Sequence, residues 1–355
     1  MKNFKQFFAG ILLVMLISCG SSIKKKDSLT VIPMDLNNVN KIDINSSKCI
    51  NTTALETKTE SLLGNINNIF FKGDTLFIHS SGKLSAFNKK GLFLFNVGTK
   101  GRAANEYLTL KSFFIKKGEL YLHDWDGRKL LRFNTGSKFI EKHDFKKGGW
   151  MPDHIFPFNS TMYVVKNTYS GEQISVPLIS VYDENLNIIS SSSRMQKNGS
   201  SLADLFFPFK NEVLYWEILC DTVYTINRSA AIAPKYFVDF GTHRVPEKIN
   251  GSDDLYNKIE FVNKEENKDR YATMVSNVRE DDRYLYFSFV YGYGIIHFAR
   301  FDKINGKTAI FRLIDSKTKK NVKFTYMTVQ NGDIIVAALP DEESGDNQVL
   351  YRIRL

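Results

Sequence analysis

Two stretches of this chain carry the same pattern. Residues 76–88 read LFIHSSGKLSAFN, and forty-four positions further on residues 120–134 read LYLHDWDGRKLLRFN. Each starts with an apolar run ending in His, passes through a polar loop containing Gly, and closes on a second apolar run ending in Phe-Asn. Self-similarity at a period of a few tens of residues is the mark of solenoids, propellers and arrays, because one unit cannot bury its own apolar face. Around the second copy the pattern extends to four short apolar runs separated by turn residues: 112–115, 120–123, 130–133 and 139–145. Short strands joined by hairpin signals predict a four-stranded antiparallel meander.

The same frame recurs along the chain, with units beginning near residues 69, 154, 205, 274 and 324. The last has runs at 324–329, 334–338 and 349–353 and is one strand short. An N-terminal strand can complete such a sheet and cover its open edge, and residues 49–56 are the candidate. The fold expected is all-β, a six-bladed β-propeller of four-stranded antiparallel blades closed by an N-terminal strand. An all-β sandwich is the rival. Continuous apolar runs such as "YLYFSFVY" favour the propeller, whose strands are covered on both faces. Residues 241–270 stand outside the frame. Ser252 can cap a helix there, with Leu255, Ile259 and Val262 on one face.

Residues 1–18 do not belong to the fold. Lys2 and Lys5 precede an apolar run too short to span a bilayer, which ends in Leu16-Ile17-Ser18-Cys19. A small residue before Cys directly after such a run reads as a lipoprotein signal, with Cys19 the lipidation site and several acyl chains holding the protein on the membrane. Residues 19–45 are expected to be a tether and leading segment, and 46–355 the propeller. The formal charge is +10, and loss of the two leader lysines leaves +8. Export argues against a nucleic-acid partner, and the lysines are scattered. The basic run Lys24-Lys25-Lys26 favours a periplasm-facing protein over one at the cell surface. Cys49 and Cys220 show neither C-x-x-C nor zinc-like spacing.

Residues 54–78 and 96–134 resemble the six-bladed β-propeller lipoproteins of Bacteroides-type bacteria. The second stretch is also similar to NHL repeats, with Gly98, Gly101, Glu106, Tyr107 and Asp124 in the matching places. It departs at Ala103-Ala104-Asn105, where that pattern prefers Gly and Pro. Membership of such a family implies the fold and no particular activity, so function has to come from the site.

Signatures of catalysis are missing: the sequence holds no G-x-S-x-G, H-E-x-x-H or P-loop. No metal and no cofactor are expected. His79 and His123 hold equivalent places at second-strand ends, either facing one funnel or each satisfying a backbone group. The second-strand ends read His79, His123, Val165, Glu217, Ser288 and Ala337. In an up-and-down blade, the loop after the second strand and the link to the next blade share one face. That face gathers Trp125, Asp126, Arg128, Tyr169, Tyr291 and Tyr293, an aromatic and polar set suited to a glycan, peptide or partner protein. The leading expectation is a membrane-anchored binding or scaffold module. The alternative is a metal-assisted hydrolase or lyase at the channel mouth.

Overall fold

The computed structural model describes residues 29–46, 50–145, 150–168, 175–196, 205–250, 255–340 and 345–355. Six antiparallel sheets follow one another along the chain. Blade 1 is Ile66–Lys72, Thr75–Ser80, Lys83–Asn88 and Phe93–Asn96; blade 2 is Leu110–Lys116, Glu119–Asp124, Lys129–Phe133 and Phe139–Asp144. Blade 3 is Met151–Pro157, Met162–Thr168, Ile179–Asp183 and Ile188–Ser191; blade 4 is Phe206–Phe209, Glu212–Trp216, Thr222–Ile226 and Ile232–Asp239. Blade 5 is Thr273–Glu280, Tyr284–Tyr291, Ile295–Asp302 and Lys307–Asp315. Blade 6 has Phe324–Gln330, Asp333–Ala338 and Val349–Ile353, and takes its fourth strand, Ile50–Ala54, from the N-terminal side of the chain. Ile50 lies opposite Ile353 and Ala54 opposite Val349, antiparallel, so the expected closure is formed. A side chain at Gly91 would put its Cβ 2.0 Å from the Ala54 carbonyl oxygen, so only glycine lets the closing strand pass.

Burial explains why the strands read as they do. Second strands are buried on both faces, as in Thr75–Ser80 and Glu119–Asp124, whereas the outermost strand Phe139–Asp144 alternates half-buried and exposed residues. The apolar core divides into clusters that each span one blade-to-blade interface. Phe77 meets Phe113 and Leu122 between blades 1 and 2, Phe114 meets Tyr163 and Tyr182 between 2 and 3, and Val164 meets Tyr215 between 3 and 4. Trp216 meets Phe287 between 4 and 5, Phe298 meets Met327 between 5 and 6, and Tyr326 meets Ile78 between 6 and 1. The ring is therefore complete, and the molecule is a six-bladed β-propeller in which blades 2 and 5 stand across the axis from each other.

The leading segment is more structured than a tether. Thr30–Pro33 pairs in parallel with the outer strand of blade 4, Thr30 opposite Tyr236, and Val39–Asp43 does the same on blade 5, Val39 opposite Ile310. Ile32 is fully buried, and Leu36 and Ile42 nearly so. Apolar burial, together with cover for two exposed sheet edges, holds these residues against the ring.

Candidate functional site

The upper face is the end of the ring that carries the loops between second and third strands and the links between blades. Near that end the first strand of five blades shifts register: between Ile66 and Asn68, Leu110 and Ser112, Pro152 and His154, Thr273 and Ser276, and Phe324 and Tyr326. A bulge re-aims the side chain it carries, and here a bulge recurs at one level around the axis. In blades 2 and 3 the bulge residues are Lys111 and Asp153.

These two residues anchor a charged cluster between the blades. Lys111 Nζ lies 3.2 Å from Asp153 Oδ1, and Lys166 Nζ lies 3.1 Å from Asp153 Oδ2. Two ammonium groups thus share one carboxylate, whose side chain is 5% exposed; Lys166 is 4% exposed and Lys111 32%. His154 Nε2 stands 3.9 Å from Asp153 Oδ2. Burial drives the His123 and His154 imidazoles down to about 3, so both are neutral at pH 7 even with Asp153 beside them. His123 Nδ1 is 3.5 Å from Ser112 Oγ, while its Nε2 is buried with no hydrogen-bond partner among the described residues. Trp125 Nε1 is in the same position, and Lys111 Nζ sits 6.0 Å from the centre of the Trp125 ring.

The equivalent histidines have diverged. His79 Nε2 donates to the Leu110 carbonyl at 3.3 Å and so ties blade 1 to blade 2; burial lowers its ring to about 4. His123 makes no such bond. In blade 3 the matching place belongs to Lys166, opposite His154, and not to Val165: His79 faces Asn68 and His123 faces Ser112 in the same register, each just past a bulge. Sequence reasoning missed Lys111, Asp153 and Lys166. The available signal was charge inside runs buried on both faces, as in "PDHIF" and "VVKN".

The other expected site residues divide between two sectors. Trp125, Asp126 and Arg128 lie on the blade 2 loop, where Thr109 Oγ1 donates to Asp126 Oδ2 and Asp124 Oδ1 accepts from the backbone of Leu108, Thr109 and Gly127. Asp124 therefore braces the loop that presents Trp125. Glu106 accepts from Ala103 N and fills the space a Gly101 side chain would need. Tyr291 and Tyr293 lie on the same face but on blade 5, across the axis. Tyr291 Oη is 3.2 Å from His243 Nδ1, and Tyr293, 65% exposed, donates to Asp269 at 3.2 Å. Tyr169, Cys19 and Cys49 lie outside the described residues.

At blades 4 and 5 the insertion covers the rim. A short helix, Leu255–Asn263, turns Leu255, Lys258, Phe261 and Val262 inward. Ile259, expected on that face, is 38% exposed. The inward face follows i, i+3, i+7, and Phe261 packs against Tyr271 with the rings tilted, 5.4 Å between centres. Ser252 lies outside the described residues. Beneath the helix is a cleft with about 220 Å³ of empty space, part of it open to solvent, lined by Leu219, Asp221, Val245, Lys258 and Thr273 among others. Asp221 accepts from Arg244 Nε and Asn250 Nδ2, both at 3.0 Å. Burial pushes its carboxyl up to about 6 against the pull of Arg244. Among the described residues Cys220 has no disulfide partner; its Sγ is 3.8 Å from Tyr224 Oη, and burial raises its thiol.

Among the described residues, no three His, Cys, Asp or Glu side chains gather in a way that could hold a metal ion, and no helix is long and apolar enough to cross a membrane.

Fold and rim together define a six-bladed propeller with a charged mouth on one sector and an insertion over another. The chain belongs to the DUF4934 family, described as a domain of unknown function, which matches residues 29–347. Among solved structures it is similar to one described as a "putative exported protein" from Bacteroides fragilis, at 18% identity and a TM-score of 0.68, covering 92% of this chain and 99% of that one. A member of the DUF4221 family from Bacteroides vulgatus matches at 8% identity and a TM-score of 0.56, covering 87% and 96%. At these identities the likeness shows the fold alone. No curated protein matches the chain.

Proposed function

We propose that this protein is an exported, lipid-anchored β-propeller that binds a ligand on its upper face, at the mouth between blades 2 and 3. The observation that carries this reading is the cluster of Lys111, Lys166 and Asp153 beside Trp125. Ionisable groups are expensive to bury, and a purely structural ion pair would match its charges and satisfy its polar atoms. Here two cations share one anion, and two buried ring nitrogens have no partner among the described residues. On the lower face Lys235 and Lys303 likewise share Glu280, but Glu212 pairs with Lys235 at 3.2 Å and the charges match.

Export and anchoring rest on the leader, with Cys19 as the lipidated residue, and on the exported description of the Bacteroides fragilis structure. The side is periplasmic, and the partners are the membrane, through the lipid, and a glycan, peptide or protein. Trp125, Asp126 and Arg128 belong to the binding sector, and Tyr169 is proposed with them from its position in the sequence, directly after Met162–Thr168. Tyr291 and Tyr293 contribute at most a distant contact from across the ring. A thermal-shift screen of oligosaccharides and peptides on the mature protein tests this. Trp125→Ala removes binding of the hit while Tyr293→Ala keeps it; the reverse pattern, or a screen without hits, overturns the assignment.

A further inference from the structure

From the chemistry of the same mouth, and resting on the binding reading above, we propose that the ligand is a carboxylate-bearing saccharide of the hexuronate type. Three of the groups left over in the mouth are donors. Lys111, a third exposed, shares Asp153 with Lys166 and so carries charge that the cluster does not balance. Trp125 Nε1 can only donate. His123 is neutral, and in the tautomer in which the Ser112 hydroxyl donates to Nδ1, its Nε2 carries the proton and is a third donor. Two buried acceptors, Asp124 Oδ2 and Asn167 Oδ1, also lack hydrogen-bond partners among the described residues, but Asp124 Oδ2 has Lys129 Nζ at 3.8 Å, and the surplus cation at Lys111 selects an anion.

The remaining feature is the Trp125 ring beside that cation, 6.0 Å from Lys111 Nζ to the ring centre. A hexuronate carries its carboxylate directly on a ring whose C–H face stacks on an aromatic plane, so one sugar unit spans both groups. A phosphate would be better served by a bidentate Arg fork or a run of backbone N–H groups. A peptide C-terminus brings charge without the flat C–H face.

The test is isothermal titration of the mature protein with oligogalacturonate, with the same oligosaccharide as its methyl ester, and with a short acidic peptide. The acid form binds, the ester binds at least about tenfold more weakly, and added salt weakens the acid form only. Lys111→Gln lowers affinity for the acid by about tenfold while leaving the melting temperature in place. Asp153→Asn removes the competing carboxylate and raises that affinity, a change of sign that a merely structural role would not produce. Equal binding of acid and ester, preference for the peptide, or indifference to Lys111→Gln overturns the uronate assignment. If ester or peptide binding is lost in Trp125→Ala, the binding site stands and only the ligand class falls. If none of the three probes binds, the uronate proposal fails, and the broader screen decides whether the mouth binds anything.

Discussion

The upper rim is built in two ways. At blades 2 and 3 the described residues place no helix over the rim, and bulges turn Lys111 and Asp153 to one mouth beside Trp125. At blades 4 and 5 a thirty-residue insertion arches over the rim, and the polar groups there hold it down: Asp221 takes Arg244 and Asn250, Tyr291 takes His243, and Tyr293 takes Asp269. Blade geometry is the same in both sectors. The difference lies in whether the loop face uses its polar groups on itself. Where an insertion supplies partners the rim's charged groups are paired, although Trp216 Nε1 of blade 4 stays unpartnered among the described residues; where none does, a surplus cation remains for something else. The outer edges repeat the contrast, since blades 4 and 5 each gain a parallel strand from the leading segment.

The largest way to separate the sectors is acid. His79, His123 and His154 belong to blades 1 to 3, and burial holds their rings at about 4, 3 and 3; burial also lowers His297 of blade 5, one ring against three. A histidine depressed in the folded state contributes stability that is present above the unfolded value near 6.5 and is lost as pH falls towards the folded one. At pH 4 each ring costs about 3 kcal/mol. Urea melts at stepped pH should show stability dropping steeply between pH 6.5 and 4, with a shallower slope in His123→Gln. A chain equally stable at pH 7 and 4.5 would contradict the burial of this mouth.

Removing the added strands probes the other sector. A chain starting at residue 45 keeps the closing strand Ile50–Ala54 but loses Ile32, Leu36 and Ile42 from the wall of blades 4 and 5. At roughly 1.5–3 kcal/mol per buried side chain, the cost is about 5 kcal/mol. Hydrogen exchange should quicken in 232–239 and 307–315 and stay unchanged in blades 2 and 3. Uniform loss of protection would mean that the ring behaves as one cooperative unit without sectors.

Asp221 answers to pH with the opposite sign. Its carboxyl, raised to about 6, gives stability that is present below the unfolded value of 3.8 and lost as pH rises through 6. Asp221→Asn removes that loss. The variant should match the wild type at pH 4 and exceed it by about 2 kcal/mol at pH 7.5. A variant weaker than the wild type at pH 7.5 would show that the Arg244 pair outweighs the burial it requires.

Much of this was legible in the sequence. Strands such as Thr75–Ser80 and Tyr284–Tyr291 sit between two neighbours, so their apolar runs announce both their place and the fold. The closing strand was legible as a gap, because the last unit lacked one. Thr30–Pro33 was not: four residues acquire strand geometry only from the edge they meet, and nothing local marks that edge. The bulges were hidden for the same reason. Each moves the register by a residue, so counting from the hairpin chose Val165 where the structure presents Lys166, and gave no sign that Lys111 and Asp153 would meet across an interface. Trp125 was visible because it stands on a loop; the charges that give it a role were inside strands.

The smallest expected effect falls on Tyr293. Its ring is 65% exposed, and its one side-chain bond, to Asp269, is at the surface of the insertion. What places the residue is backbone: it adopts φ 56 between Gly292 and Gly294, and its N–H donates to the Lys268 carbonyl at 3.0 Å. An exposed hydroxyl facing a carboxylate gains little over water, and Asp269 shifts the phenol upward, away from any charge change near neutral pH. Tyr293→Phe should therefore leave the melting temperature unchanged and exchange at 268–294 nearly so, and a ligand held at blades 2 and 3 should bind as before. Tyr293→Gly should differ. It keeps the backbone bond and frees the chain at a left-handed position that glycine adopts without strain, so exchange in the insertion quickens while the distant mouth is untouched. Ligand binding that weakened in both variants would couple the two sectors and end the distinction between a rim satisfied by its own insertion and a mouth left open for a partner.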